Sequence, residues 1–306
     1  MTLEKDNFRI PALAVAAVIL ASSVKPEGSL ILGLAAVLVT ATVVFIARSR
    51  FSDNENKILA TLLYFVLVTS SPCYPNFSQQ HLATIFCSMS FLIMIDFCKF
   101  PDNTLSFALA SLTLTATAVF WPPLLWLALA YLVLGIIRSD NKMKVAVSLI
   151  LAVTMPVLIY FAVMYLQDNL DAGILTIKGK LEQVISLEGG HNVHLSMPTI
   201  LKYLVIAAGI ISVSCRSLFK MNIPSISERW IYLMTVVISF SIIGICTVFY
   251  PAAGRSVTMT ACPLSALLLS EYISGLKSKK ASRIYLFLLI VTALSERLYD
   301  FNLDIL

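Results

Sequence analysis

Charges are so thinly spread along this chain that apolar runs of fifteen to twenty residues follow one another with little between them, and few folds accommodate that. Such runs occur near 10–24, 29–47, 58–72, 82–98, 104–120, 124–137, 145–166, 199–215, 230–249, 257–272 and 284–298. A helix needs roughly 20 apolar residues to cross about 30 Å of hydrocarbon. Apolar residues make up 58% of the chain and charged residues 13%. A soluble domain carries about 25% charged residues to face water, so this surface must face lipid. The expectation is an all-α polytopic transmembrane helix bundle of about 11 spans, forming one integral membrane domain over 1–306. The runs 58–72 and 124–137 are short for a bilayer. Non-helical backbone at membrane depth is tolerated only where protein or a cavity surrounds it, which predicts a place in the bundle interior or beside a cavity for both.

Short cytoplasmic loops hold an excess of Lys and Arg. With the N-terminus inside, sixteen of the 22 basic residues fall on the cytoplasmic side, among them Arg48, Arg50, Lys99, Arg138 and Lys277 to Arg283. Lys25, Lys178, Lys180, Lys202, Arg255 and Arg297 fall outside. The predicted topology is therefore N-in, C-out. Residues 1–24 resemble a signal peptide, with Lys5 and Arg9 before an apolar core; whether or not they are cleaved, the next span runs inward. The stretch 104–137, turning at Trp121-Pro122-Pro123, either spans twice or re-enters from the same side, and both leave Lys99 and Arg138 together.

The external loop 167–198 is the one sizeable hydrophilic stretch. Within it Ile177, Leu181, Val184 and Ile185 recur at helical spacing between Lys178, Lys180, Glu182 and Gln183. That predicts a short amphipathic helix over 174–187 on the outer leaflet, ended by Gly189-Gly190. Ser225 and Glu228 have the spacing of a capping box before the span that begins near Trp230.

Six cysteines include no CxxC pair, and only Cys73 sits in an outer loop, so no disulfide framework is implied. Ionisable residues deep in spans usually mark pumps and enzymes of the membrane. Asp96 lies three residues from Lys99 and reads as its interfacial partner; Glu271 reads as interfacial, and Glu296-Arg297 as the outer end of the last span. That weighs against a proton-coupled pump, while transport of Na⁺ or a neutral solute through hydroxyls and carbonyls stays open. The candidate ligand-binding residues are all external: Arg255 in Tyr250-Pro251-Ala252-Ala253-Gly254-Arg255, His81 beside a Pro-rich loop, and Glu188, His191 and His194. An arginine at a span mouth meets phosphate through charge-assisted bonds. Glu188, His191 and His194 are spaced by three but interrupted by Gly189-Gly190, so they do not share one helix face and no metal site is expected. Three histidines exclude a four-histidine iron oxygenase within the chain. Nothing calls for a cofactor or a nucleic-acid partner; the expected partners are membrane lipids, a lipid-linked substrate or other envelope proteins.

The stretch Asn103 to Ile137 with Trp121-Pro122-Pro123, then Met155-Pro156-Val157-Leu158-Ile159-Tyr160, resembles a family of uncharacterised bacterial multispan proteins, a domain of unknown function. With Cys262-Pro263-Leu264 and Lys277 to Lys280 the similarity extends over about two thirds of the chain. The layout also resembles the membrane half of GT-C-type glycosyltransferases, which take sugars from polyprenyl-phosphate donors at the outer face. That resemblance implies an outward cavity and a phosphate-binding role for Arg255. The family's catalytic acid lies in a long first outer loop, whereas here that loop is Lys25-Pro26-Glu27-Gly28. These features frame three readings: a component of cell-envelope assembly in a bacterial inner membrane, a reduced GT-C-like transferase, and a transporter.

Overall fold

A computed structural model describes residues 28–51, 57–71, 77–185, 197–219, 226–249, 258–276 and 278–303. Among these residues the fold is all-helical, with eleven α-helices and one 3-10 turn. They are α1 (Gly28–Phe51), α2 (Lys57–Thr69), α3 (Gln79–Lys99), α4 (Thr104–Phe120), the turn η1 (Pro122–Trp126), α5 (Leu127–Arg138) and α6 (Lys142–Leu166). After them come α7 (Leu170–Ile185), α8 (Met197–Phe219), α9 (Ile226–Val248), α10 (Thr258–Ser274) and α11 (Lys279–Leu303). Ten of the eleven predicted runs coincide with helices; the run 10–24 lies outside the described residues. Four helices are long and apolar enough to cross a membrane: α1, α3, α6 and α9.

The bundle is built around α10. It touches α1, α2, α3, α8, α9 and α11, and nearly every side chain from Met259 to Ser270 is buried. Its 17 residues reach about 25 Å at 1.5 Å per residue. Of the two short runs, α2 lies inside, with Leu59, Ala60, Leu63, Tyr64, Leu67 and Val68 all buried. The helix α5 does not, since Leu129, Val133 and Ile137 face outward. It gains length instead from η1. Pro122 and Pro123, which have no N–H to give, occupy the first positions of that turn, where none is required. Trp121 before them is extended, which ends α4.

Hydroxyl side chains are packed among the apolar core of this bundle, while large apolar side chains face outward. The outer face of α6 shows Ile150, Leu151, Met155, Leu158 and Ile159, whereas the buried set includes Ser88, Ser90, Ser111, Thr117, Thr235, Thr260, Ser265 and Ser270. In lipid, helices gain nothing by hiding leucine from hydrocarbon, so small side chains that permit close approach dominate their contacts. The hydroxyls are satisfied locally. Ser88 donates to the carbonyl of Thr84 (2.7 Å), Ser111 to Phe107 (2.9 Å) and Thr235 to Ile231 (2.7 Å). Ser90 reaches further, donating to the carbonyl of Ala110 on α4 at 2.7 Å and meeting the hydroxyl of Tyr131 on α5 at 2.9 Å.

At one end of the bundle Arg48, Arg50, Lys99 and Arg138 gather. Arg48 of α1 pairs with Glu271 of α10 at 2.6 Å, and Tyr232 of α9 donates to the same carboxylate. Arg138 donates to the carbonyl of Cys98 at 2.9 and 3.1 Å, which sets it beside Lys99. Asp96 pairs with Arg50 of α1 rather than with Lys99. The adjacent helices α1 and α3 bring Arg50 across at the same level, and a guanidinium matches a carboxylate better than an ammonium does.

The amphipathic helix expected over 174–187 is present as Leu170–Ile185. Its start is set by a tight turn in which Asp168 takes a positive φ of 53° and Asn169 donates to the carbonyl of Met164 at 3.0 Å. The side turned toward the bundle differs from the expected stripe. Gly173, Ile177, Lys180 and Val184 are its less exposed positions, while Leu181 is half exposed. Lys180, read from the sequence as a solvated spacer, belongs to the packed face.

Gly135 marks a tight helix contact. A Cβ there would sit 2.6 Å from Val145 Cγ1 and 2.7 Å from Phe107 Cε2, so α5, α4 and α6 close on a position with no side chain. Overpacking of this kind costs about 1–3 kcal/mol. Gly135→Val should lower the thermal unfolding midpoint of the purified protein, and the same substitution at Gly179, which has open space around it, should leave the midpoint near wild type.

Candidate functional site

Opposite the basic end, the ends of α2, α8 and α11 converge on a buried ion pair. Lys202 Nζ donates to the carboxylate of Glu296 and, at 3.1 Å, to Ser70 Oγ. Both charged side chains are almost fully enclosed, at 5% and 3% exposure. Lys202 is five residues inside α8 and Glu296 seven inside α11, about 8 and 10 Å from the helix ends at 1.5 Å per residue. Two charges withdrawn that far from water cost several kcal/mol each unless they meet.

More polar groups collect at this end. Thr84 of α3 lies 3.5 Å from Thr260 of α10, hydroxyl to hydroxyl. Pro263 has no N–H to give the carbonyl of Met259, one turn back in α10. The Ser71 hydroxyl and the Gln80 side-chain carbonyl are buried without a hydrogen-bond partner, as are the hydroxyls of Thr61 and Ser239 elsewhere among the described residues. Buried polar atoms in native folds are nearly always paired, so these oxygens are conspicuous.

His81, a predicted ligand residue, is found at this end and is buried. It has a structural task. Its Nδ1 accepts the backbone N–H of Ser78 at 3.1 Å, closing a capping box at the start of α3, and its ring stacks on Phe77 with centroids 5.7 Å apart. Arg255, Glu188, His191 and His194 lie outside the described residues, as do Cys73 and Ser225. Arg255 belongs to the segment 250–257, which joins Phe249 at the end of α9 to Thr258 at the start of α10.

A second feature lies nearby. A groove of about 430 Å³ runs along the last turns of α9, lined by Ser241, Gly244, Ile245, Val248 and Phe249. Trp126 of η1 and Val184 of α7 form its other wall. The indole N–H of Trp126 donates to the carbonyl of Val184 at 3.1 Å, and Lys180 Nζ donates to the carbonyl of Val119 at 2.6 Å. These two bonds hold α7 against η1 and the end of α4.

Reading charges along the chain missed the Lys202–Glu296 pair, because each residue alone marks a span boundary. A signal was present: both fall inside predicted spans, on the same predicted side, with opposite charge. Glu271 and Glu296, expected at the membrane interface, are each paired with a cation from another helix. Glu296 is buried, and Glu271 is largely covered between Arg48 and Tyr232. The argument against proton coupling, which rested on spans bare of carboxylates, loses its ground. No group of three or more potential metal ligands occurs among the described residues.

The arrangement defines an all-helical bundle, consistent with a membrane protein, in which polar side chains turn inward and a buried ion pair sits at the end opposite the basic one. Comparison with protein-family models, curated proteins and solved structures finds no match.

Removing one partner of a buried pair strands the other charge and costs about 3–5 kcal/mol. Lys202→Met and Glu296→Gln should each sharply reduce folded protein recovered from membranes. The double variant should recover most of that loss. Equal losses in the single and double variants would show that the two residues act independently.

Proposed function

We propose that this chain is a multispan protein of a bacterial cytoplasmic membrane, N-terminus inside and C-terminus outside, that serves cell-envelope assembly through a polar site opening at its outer end. One observation carries the reading: the Lys202–Glu296 pair, buried beside Ser70. Ionisable residues within membrane spans are costly and generally line a pathway or a binding site. The unpartnered oxygens of Ser71 and Gln80 supply further polarity at the same end. The orientation draws support from Arg48, Arg50, Lys99 and Arg138, which share the opposite end.

A GT-C-like transferase is the second reading. It is favoured by the placement of the segment carrying Arg255 between Phe249 of the groove and Thr258 beside the polar cluster. An arginine in such a connecting segment suits a phosphate, which its guanidinium meets through charge-assisted bonds. A transfer assay with a polyprenyl-phosphate hexose donor separates the two: Arg255→Ala abolishes turnover under the transferase reading, whereas the first reading expects none from the wild type.

In intact cells, a cysteine at the exposed Lys178 should react with a membrane-impermeant maleimide, and one at Lys99 only after permeabilisation. The reverse pattern would invert the topology. The Lys202→Met/Glu296→Gln double variant should reach the membrane at wild-type level yet fail to restore detergent resistance to a strain lacking the protein. Full restoration would leave the pair a purely structural clasp.

A further inference from the structure

The groove between α9, η1 and α7 offers an occupant almost no hydrogen bonding. Trp126, Val184, Ile245, Val248 and Phe249 present hydrocarbon or ring faces. Ser241 already donates its hydroxyl to the carbonyl of Val237 at 2.8 Å. The Trp126 N–H is given to Val184. A polar solute would therefore lose its water and find nothing in return. Space is available, because a Cβ built on Gly244 meets no atom within 4 Å. The volume of about 430 Å³ falls in the range of roughly 300–1,000 Å³ typical of ligand sites.

Among the described residues, the charge nearest this wall on α7 is positive. Successive residues of a helix are about 100° apart, so Val184 and Lys180, four apart, share the face of α7 that packs on η1. Asp171, Lys178 and Glu182 are on the opposite face, where Lys178 and Glu182 stand four apart and offset each other. Lys180 is thus the one charged residue on the face of α7 beside the groove.

We infer that this groove is a lipid site that seats one acyl chain of an anionic phospholipid, with the Lys180 ammonium at its rim facing the headgroup phosphate. The observations behind it are the apolar lining, the open space at Gly244 and the lone charge, Lys180, on the groove-side face of the covering helix. Trp126 is placed as tryptophans at membrane interfaces are, with its ring against hydrocarbon and its N–H at a polar group. The inference rests on the membrane reading above but not on its orientation, and it is independent of the ion pair.

The test is native mass spectrometry of the full chain purified in an equimolar mixture of phosphatidylglycerol and phosphatidylethanolamine. Wild-type protein should retain one phospholipid, with about a fivefold preference for phosphatidylglycerol, the factor one lysine contributes near an anionic surface. Gly244→Trp should fill the groove and abolish retention. Lys180→Gln should keep the lipid and lose the preference. In the unaltered protein, phosphatidylglycerol carrying a diazirine at the end of an acyl chain should label the peptide 241–249. Labelling confined to other helices, or retention unchanged in a folded Gly244→Trp protein, would overturn the site. Equal retention of the two lipids by wild type would overturn the anionic headgroup. The maleimide labelling pattern is unaffected by any of these results, so failure here leaves the topology standing, and inverted labelling leaves the groove standing.

Discussion

A bundle clothed in leucine and isoleucine has one place for its polar groups, and that is between its helices. Away from water, a buried hydroxyl is best satisfied by a carbonyl or another hydroxyl within the protein. Most take the cheapest route and donate one turn back along their own helix, as Ser88 and Thr235 do. Ser90 spans α3, α4 and α5 instead. The close contacts around Gly135 follow from the same rule, since with no hydrophobic force between helices, tight packing must supply the attraction.

Charged side chains obey this rule more strictly. Arg48 with Glu271 at one end, and Lys202 with Glu296 at the other, are each brought together from different helices. Neither member of a pair is tolerable there alone. Both pairs sit against the bundle packed around α10, so the helix that touches the most neighbours has a polar clasp near each end. A packed interior with two charged ends has a defined polarity, and the proposed outward site and the inner basic surface are two consequences of it.

The groove at α9 follows a different logic. Beside it α7 is held by two bonds, in which the backbone carbonyls of Val184 and Val119 accept from Trp126 and Lys180. An amphipathic helix held at its edge leaves space behind it where Gly244 contributes no side chain. Lys180 is central both to that anchoring and to the charge at the rim.

The one-dimensional pattern was enough to determine the helical class, ten of the helices and the amphipathic character of α7, because each depends on runs and periods along the chain. The clustering of Arg48, Arg50, Lys99 and Arg138 at one end was also legible, since helices joined by short loops must alternate in direction. What stayed hidden were relations between distant residues. Lys202 and Glu296 are 94 positions apart, and each alone reads as the end of a span; only the packing of α8 on α11 turns two boundary markers into a buried pair. His81 looked like a ligand because the sequence does not show that the N–H of Ser78 would claim its ring nitrogen. Lys180 looked solvated because periodicity locates an apolar stripe but not the neighbour against which a helix settles. Local propensity follows from the order of residues along the chain, whereas a partner for a charge is a matter of three-dimensional proximity, and that was decided by the tertiary structure alone.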